Sequence, residues 1–420
     1  MAEGKGKLFS IADFRNFFGL SITSRSATSV LSLVIVWYVF TVTKSALDVA
    51  IVGITETVSA VIISLPAGVW VDRYNRLGLL VISNAIRTAA AASLAIFSIL
   101  YGFNFILTIA AIFVWNSASE LYRSSHYSSL PELIDKEYLA SANGIIRTGQ
   151  SLLNSASTVI GGTLIVLIGV SIALSYGAAG YAISLIFSIL LLRTAGKRNV
   201  KKNETTPVSG RGLSEILRGF SWLWTQKGLL LLSISALCFN FYFTVSYYFL
   251  VVYVESGIHA GALIFALVLA AYSIGYSIGS PLLGYAKTAL RYAGRIWALM
   301  YGGAIGSVII LMGIFPISEV AISLTFIMGL AIGFSGNVWL TSAQNIVPVS
   351  MRGRYFAIDG LLSFLGGPPA VAVGGVMVIL LGVIHTFELS GIILLILAVV
   401  FSSFKSLWNL DGTKSPETSV

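Results

Sequence analysis

The sequence predicts an all-α integral membrane protein: twelve transmembrane helices in two pseudo-symmetric six-helix bundles. Three observations carry that expectation. Only 10% of the 420 residues are charged while 56% are hydrophobic; a soluble domain carries about 25% charged residues and could not cover its surface with so few. The apolar residues fall into twelve runs, each near the ~20 residues that cross a bilayer. One long basic stretch, from Arg193 to Lys227, then divides those runs six and six. A mean hydropathy of +0.90 agrees. This composition excludes a nuclease, a cytosolic dehydrogenase and a disulfide-stapled secreted scaffold. The lone Cys238 has no partner for an internal disulfide.

The spans lie at roughly 17–42, 48–71, 78–100, 105–127, 142–168, 171–192, 229–254, 260–286, 294–315, 319–342, 356–382 and 384–408. Alternating β-barrel patterning is absent, and backbone within lipid must satisfy its own hydrogen bonds, so each span is a helix. The expected organisation is a tail over 1–16, a bundle over 17–192, a basic linker over 193–228, a second bundle over 229–408 and a tail over 409–420. The amino terminus shows no cleavable signal, because its first apolar run is long and carries Arg25. The linker ends in an amphipathic segment, Leu213 to Trp222, suited to the inner leaflet.

Cations set the orientation. With the amino terminus inside, the cations at Lys5, Lys7, Arg15, Arg73, Arg76 and Lys136, those from Arg193 to Lys227, and those from Lys287 to Arg295, at Arg352, Arg354, Lys405 and Lys414 all face the cytoplasm. Only Lys44 falls in an outer loop. That asymmetry puts both termini and the linker on the cytoplasmic side of a plasma membrane.

Polar residues inside the spans are costly and therefore informative. Ser21, Arg25 and Thr28 share one face of the first helix, and Asn116, Glu120 and Arg123 repeat the spacing on the fourth. Asn240, Thr244 and Tyr247 do so on the seventh, and Asn337, Thr341 and Gln344 on the tenth. One helix in every three thus carries a polar stripe, as repeated triplets around a central cavity require. The fifth helix adds Arg147, Gln150 and Asn154, the third Arg87 and the second Glu56. Buried opposite charges pair, so Glu56, Glu120, Arg25, Arg87, Arg123 and Arg147 are candidates for one network. Glu120 is the first candidate for proton coupling and Glu56 the second; the competing reading of Glu120 is a static pair with Arg123. Phe239, Phe241, Tyr242, Phe243, Tyr247, Tyr248 and Phe249 offer an aromatic wall on helix seven. The spacings Gly275-x3-Gly279 and Gly329-x3-Gly333 read as close-packing sites.

No phosphate-binding glycine loop, metal-spaced cluster or nucleophile with a paired base is present, so neither an enzyme nor an ATP-driven pump is expected, and no cofactor. The segment Gly68-Val-Trp-Val-Asp72-Arg73-Tyr-Asn-Arg76 resembles the signature loop of the major facilitator superfamily. Phe14 to Phe17, Ser24-Arg25, Asn84 with Arg87, Leu130 to Leu133, Gly219 to Trp224, and Gln344 to Pro348 with Arg352-Gly353-Arg354 are similar to its drug:proton antiporter branch, which includes macrolide and enterobactin exporters. That resemblance implies a cytoplasmic gate built from Gly68, Asp72, Arg73, Arg76, Arg352, Gly353 and Arg354, with Asp72 facing the start of helix eleven. Two departures weaken the proton-coupled part: Thr28 stands where the branch commonly has an acid, and Gly161-Gly162 replaces its Gly-Pro. The expected function is alternating-access export of amphipathic drug-like or siderophore-like molecules in exchange for protons. The expected partners are a small-molecule substrate, protons and the lipid bilayer, for a monomer that binds no nucleic acid. The alternatives are a uniporter or importer of a metabolite or metal chelate, and a membrane sensor with a transporter fold.

Overall fold

A computed structural model describes residues 8–195 and 220–413. Most of the basic linker, with its amphipathic segment up to residue 219, and both chain ends lie outside the described residues. The described residues are helical with no strand among them. The chain divides into two compact units, Met1–Pro207 and Val208–Val420.

The amino-terminal unit contains α1 (Ala12–Thr43), α2 (Ala46–Arg73), α3 (Arg76–Tyr101), α4 (Phe105–Leu133), α5 (Lys136–Ile168) and α6 (Val170–Ala195). The carboxy-terminal unit contains α7 (Lys227–Gly257), α8 (Ala262–Gly284), α9 (Thr288–Ile314) and α10 (Ser318–Ile346). It continues through α11 (Val349–Leu381) and α12 (Val383–Ser403). Eleven of these helices are long and apolar enough to cross a membrane; α11 contributes the shorter apolar stretch Gly366–Leu381. Every span expected from the sequence thus has its helix.

Short polar residues cap α2, α3 and α4. Ser45 accepts from the Asp48 amide at 3.2 Å to cap α2. Asn75 accepts from the amides of Leu77 and Gly78 at 2.9 and 3.2 Å to cap α3, and Asn104 from that of Leu107 at 2.9 Å to cap α4. Each satisfies donors that a helix start leaves open. Gly169 is the single residue between α5 and α6, and Gly382 the single residue between α11 and α12. Their φ values of 83° and 78° lie in the region open to glycine. The two units therefore turn the same corner with the same residue.

The pairings repeat as well. Within the first unit α1 packs on α5 and α6, α3 on α4 and α6, and α2 on α4. Within the second, α7 packs on α11 and α12, α9 on α10 and α12, and α8 on α10. Adding six to each number converts one set into the other, which is the pseudo-symmetry the sequence predicts.

Between helices in lipid the hydrophobic effect gives no preference, so close contact of small residues decides where they meet. The α8–α10 seam is the clearest case. A Cβ at Gly275 or Gly279 would collide with the backbone carbonyls of Phe326 or Leu330, and one at Gly329 or Gly333 with those of Tyr272 or Tyr276. The two glycine pairs face each other across one seam, as close-packing sites should. Wider turns of the i→i+5 kind interrupt α7 at Tyr253–Gly257 and α9 at Trp297–Ala304.

Candidate functional site

In the amino-terminal unit the buried polar chemistry gathers around Arg87 of α3, which is 1% exposed. Its Nη1 donates to Ser24 Oγ of α1 at 3.0 Å, and its Nη2 to Asn84 Oδ1 on its own helix. The guanidinium carbon lies 3.8 Å from the ring centroid of Tyr122 and 4.7 Å from that of Tyr181. A desolvated guanidinium against ring faces is the strong form of the cation–π contact. Asn84 is held in turn: its Nδ2 donates to Ser188 at 2.6 Å, and Ser184 donates to its Oδ1 at 3.3 Å. The Tyr181 hydroxyl meets Trp115 Nε1 at 2.7 Å and Thr28 at 2.9 Å. Ser21 and His126 Nε2 are 2.6 Å apart.

Helices α1, α3, α4 and α6 therefore share one polar core, where the sequence expects acids to pair with arginines. Arg87 instead has two neutral oxygens and two ring faces, and its Nε has no hydrogen-bond partner among the described residues. Glu120, the carboxylate expected in this network, is paired on its own helix with Arg123, whose Nε donates to Oε2 at 3.0 Å and whose Nη2 donates to Oε1. Glu120 is 7% exposed, while the Arg123 side chain is 51% exposed. Arg25 and Arg147 are exposed, Glu56 and Gln150 half-buried. Asn154 of α5 accepts from Ser29 of α1 at 2.7 Å, and Asn116 donates to the Ile112 carbonyl at 3.2 Å. Of the six charges, Glu120 and Arg123 form an ion pair, Arg87 lies in an aromatic cage, Arg25 and Arg147 are exposed and Glu56 is half-buried.

The α1 stripe divides in the same way. Ser21 and Thr28 turn to the polar core, whereas Arg25 between them is exposed. In the signature loop Arg76 is held inside its own unit, by an ion pair to Glu132 and a 3.1 Å bond to the Ser128 carbonyl. Asp72 and Arg73 are exposed at the end of α2. Among the described residues, a Cβ built on Gly68 would meet nothing within 4 Å. Arg352 Nε donates to the Val347 carbonyl at 3.1 Å and Arg354 Nη1 reaches Met351 Sδ at 3.3 Å, with Gly353 between them in the first turns of α11.

In the carboxy-terminal unit the striped residues bind their neighbours. Asn240 of α7 accepts from the Tyr301 hydroxyl of α9 at 2.6 Å, and Asn337 of α10 donates to the Ser280 carbonyl and hydroxyl of α8 at 2.5 and 2.6 Å. Gln344 is exposed. The aromatic wall separates into two groups. Phe239 and Phe249 are fully buried, Phe239 against Trp297, Tyr301 and Phe401. Phe243 and the exposed Tyr247 instead join Tyr272 of α8, with ring centroids 5.8 to 6.2 Å apart. Asp359, a carboxylate in the middle of α11 that is 9% exposed, has no counterpart among the residues singled out from the sequence.

The sequence did hold signals for the Arg87 core. Asn84 and Arg87 are three apart on α3, and Ser184 and Ser188 four apart on α6, so each pair shares a helix face. Among the described residues no group of three His, Cys, Asp or Glu is placed to hold a metal ion. What the arrangement offers is hydrogen bonding, charge and aromatic surface inside apolar bundles.

The model of the Major Facilitator Superfamily matches residues 17–370. The multidrug efflux pump Tap of Mycolicibacterium fortuitum is 23% identical over 403 residues, covering 94% of this chain and 96% of its own. Macrolide efflux protein A of Streptococcus pyogenes is 21% identical over 392 residues, covering 91% and 94%. Among solved structures, the nucleoside transporter NupG superposes with a TM-score of 0.73 at 12% identity, over 94% of this chain and all of the other. A bacterial homologue of the iron transporter ferroportin gives 0.71 at 13%, over 93% and 98%. At such identities the solved structures speak for the fold alone. With a family match that runs from α1 into α11, this chain belongs to the Major Facilitator Superfamily.

Proposed function

We propose that this transporter exports amphipathic, drug-like or siderophore-like small molecules across the plasma membrane by alternating access, in exchange for protons. The observation that carries export is the match to two efflux proteins along more than nine-tenths of every chain compared. Both termini are cytoplasmic in this reading, as the loop cations require. Glu120 is its proton-binding group in the amino-terminal unit, with Glu56 second. The ion pair to Arg123 supports that role as well as a static one: a carboxylate that gains a proton releases its guanidinium, and the exposed half of Arg123 is where the released charge meets water. Arg87, sealed away without an acid, is the scaffold of this unit, whereas Arg25 and Arg147 are open to ligand or solvent. Phe243, Tyr247 and Tyr272 supply the aromatic surface that an apolar ligand stacks on.

Flux in proteoliposomes tests the proposal. An imposed proton gradient should drive uptake of a macrolide or a lipophilic dye into vesicles with an acidic lumen. Flux indifferent to the gradient would remove proton exchange and leave facilitated diffusion.

A further inference from the structure

The carboxy-terminal unit holds a buried carboxylate that no role described so far uses. Asp359 lies ten residues into α11, about 15 Å along the helix at 1.5 Å per residue. It is 9% exposed and forms no ion pair among the described residues. The polar groups in electrostatic range of it are the Ser233 hydroxyl of α7 and the Tyr355 phenol one turn back on α11. Those two groups are themselves linked, Ser233 Oγ to Tyr355 Oη at 3.3 Å.

Among the described residues, the helices packed on α11, α7 and α12, set no cation against the carboxylate. On α7 the titratable groups are Lys227, exposed at the helix start, Cys238, five residues past Ser233, Tyr242, Tyr247, Tyr248 and Tyr253 further along, and Glu255 near the far end, so its one cation stands at the helix start. On α12, His385 and Glu388 are bonded to each other at 2.9 Å, just past the end of α11 and far along the chain from Asp359. Arg352 on α11 is turned to the Val347 carbonyl. Charged and unpaired, a carboxylate in this setting is costly; protonated, it is a neutral donor beside two hydroxyl oxygens.

The helix that carries it is also made to yield. Gly366, Gly367, Pro368 and Pro369 follow within three turns, and prolines inside a helix remove i→i−4 bonds and permit bending. A cavity of about 620 Å³ opens at that level between α7, α11 and α12, lined by Cys238, Phe241, Leu362, Gly366 and Pro369 among others. A change of charge at Asp359 therefore acts on a seam that has free space beside it and a deformable helix on one side.

We propose that Asp359 is a second proton-binding group of the transport cycle, whose protonation sets how closely α11 packs on α7. The proposal rests on the reading of this protein as a proton exchanger, and it adds to Glu120 a site in the other unit. Protonation adds one proton to the carboxylate and removes one negative charge from the α7–α11 seam. Deprotonation restores the charge and draws water towards the cavity.

Cys238, the sole cysteine, is a native reporter of that seam. The experiment measures its labelling rate by N-ethylmaleimide in lipid nanodiscs across a range of pH, for the wild type and for Asp359→Asn. Dividing one rate by the other at each pH cancels the ionisation of the thiol itself. The expected ratio is near one in acid, where both proteins are neutral at this position, and rises several-fold as the wild type loses its proton. A ratio that stays constant with pH overturns the proposal. Should Asp359→Asn fail to fold, Asp359→Glu keeps a titrating carboxyl, and the midpoint of its profile should differ from that of the wild type; an unmoved midpoint also counts against the proposal. Proteoliposome flux separates this claim from the one beneath it. A wild type that ignores a proton gradient yet shows the pH-dependent ratio defeats proton exchange and spares the site. Gradient-driven flux whose pH profile in Asp359→Asn is the same as that of the wild type defeats the site and spares proton exchange.

Discussion

Arg87 shows how much a single residue can organise inside a bundle. Its guanidinium reaches Ser24 on α1 and Asn84 on α3 while lying against rings from α4 and α6. A lysine would keep the charge but lose the planar fork and its fit between two rings. Arg87→Lys is expected to cost about 1–3 kcal/mol of stability through the acceptors left unmet, read as a lower melting temperature in detergent, whereas Arg25→Lys at an exposed position should leave it unchanged. Equal melting of the two variants would show that guanidinium geometry does not matter there. Glu120 poses the complementary question of whether an ion pair moves. In Glu120→Gln the pair with Arg123 is gone and the side chain mimics the protonated acid, so substrate binding should survive while substrate-induced proton release is lost. Release at the wild-type level from Glu120→Gln, but not from Glu56→Gln, would transfer the role to α2.

At the scale of helices, the α8–α10 seam sets the tolerances. Gly275→Ala would drive a methyl into the Phe326 carbonyl, and overpacking of this kind costs about 1–3 kcal/mol. Gly336→Ala on the same α10 meets nothing within 4 Å and should be neutral or gain up to about 1 kcal/mol in helix propensity. Thermal unfolding of the two variants side by side checks the seam: similar curves would mean that the helices are not in contact through these glycines.

The seam was legible in the sequence because a small-x3-small spacing states its purpose, and the spans were legible because lipid imposes length. The Arg87 core was less legible. Its parts are Ser24, Tyr122, Tyr181, Ser184 and Ser188, residue types that usually serve as packing, and only the fold brings them to one arginine. Asp359 escaped for a related reason. It shares a helix face with Arg352 and Tyr355, a stripe with no second carboxylate to mark it, and its burial becomes visible only once α7 is packed against α11.

For the whole molecule, topology and transport are the properties at stake. The run of cations from Arg193 to Lys227 should be cytoplasmic. With Cys238 replaced by serine, a single cysteine at Ser209 should resist an impermeant maleimide in intact cells and react after permeabilisation; labelling from outside would invert the orientation. The measurement that bears most directly on the transport reading is flux of a macrolide into proteoliposomes under an imposed proton gradient, wild type beside Glu120→Gln. Accumulation that follows the gradient in the wild type and becomes indifferent to pH in the variant is the predicted result. Wild-type flux that never exceeds equilibration, whatever the gradient, would contradict proton-coupled export.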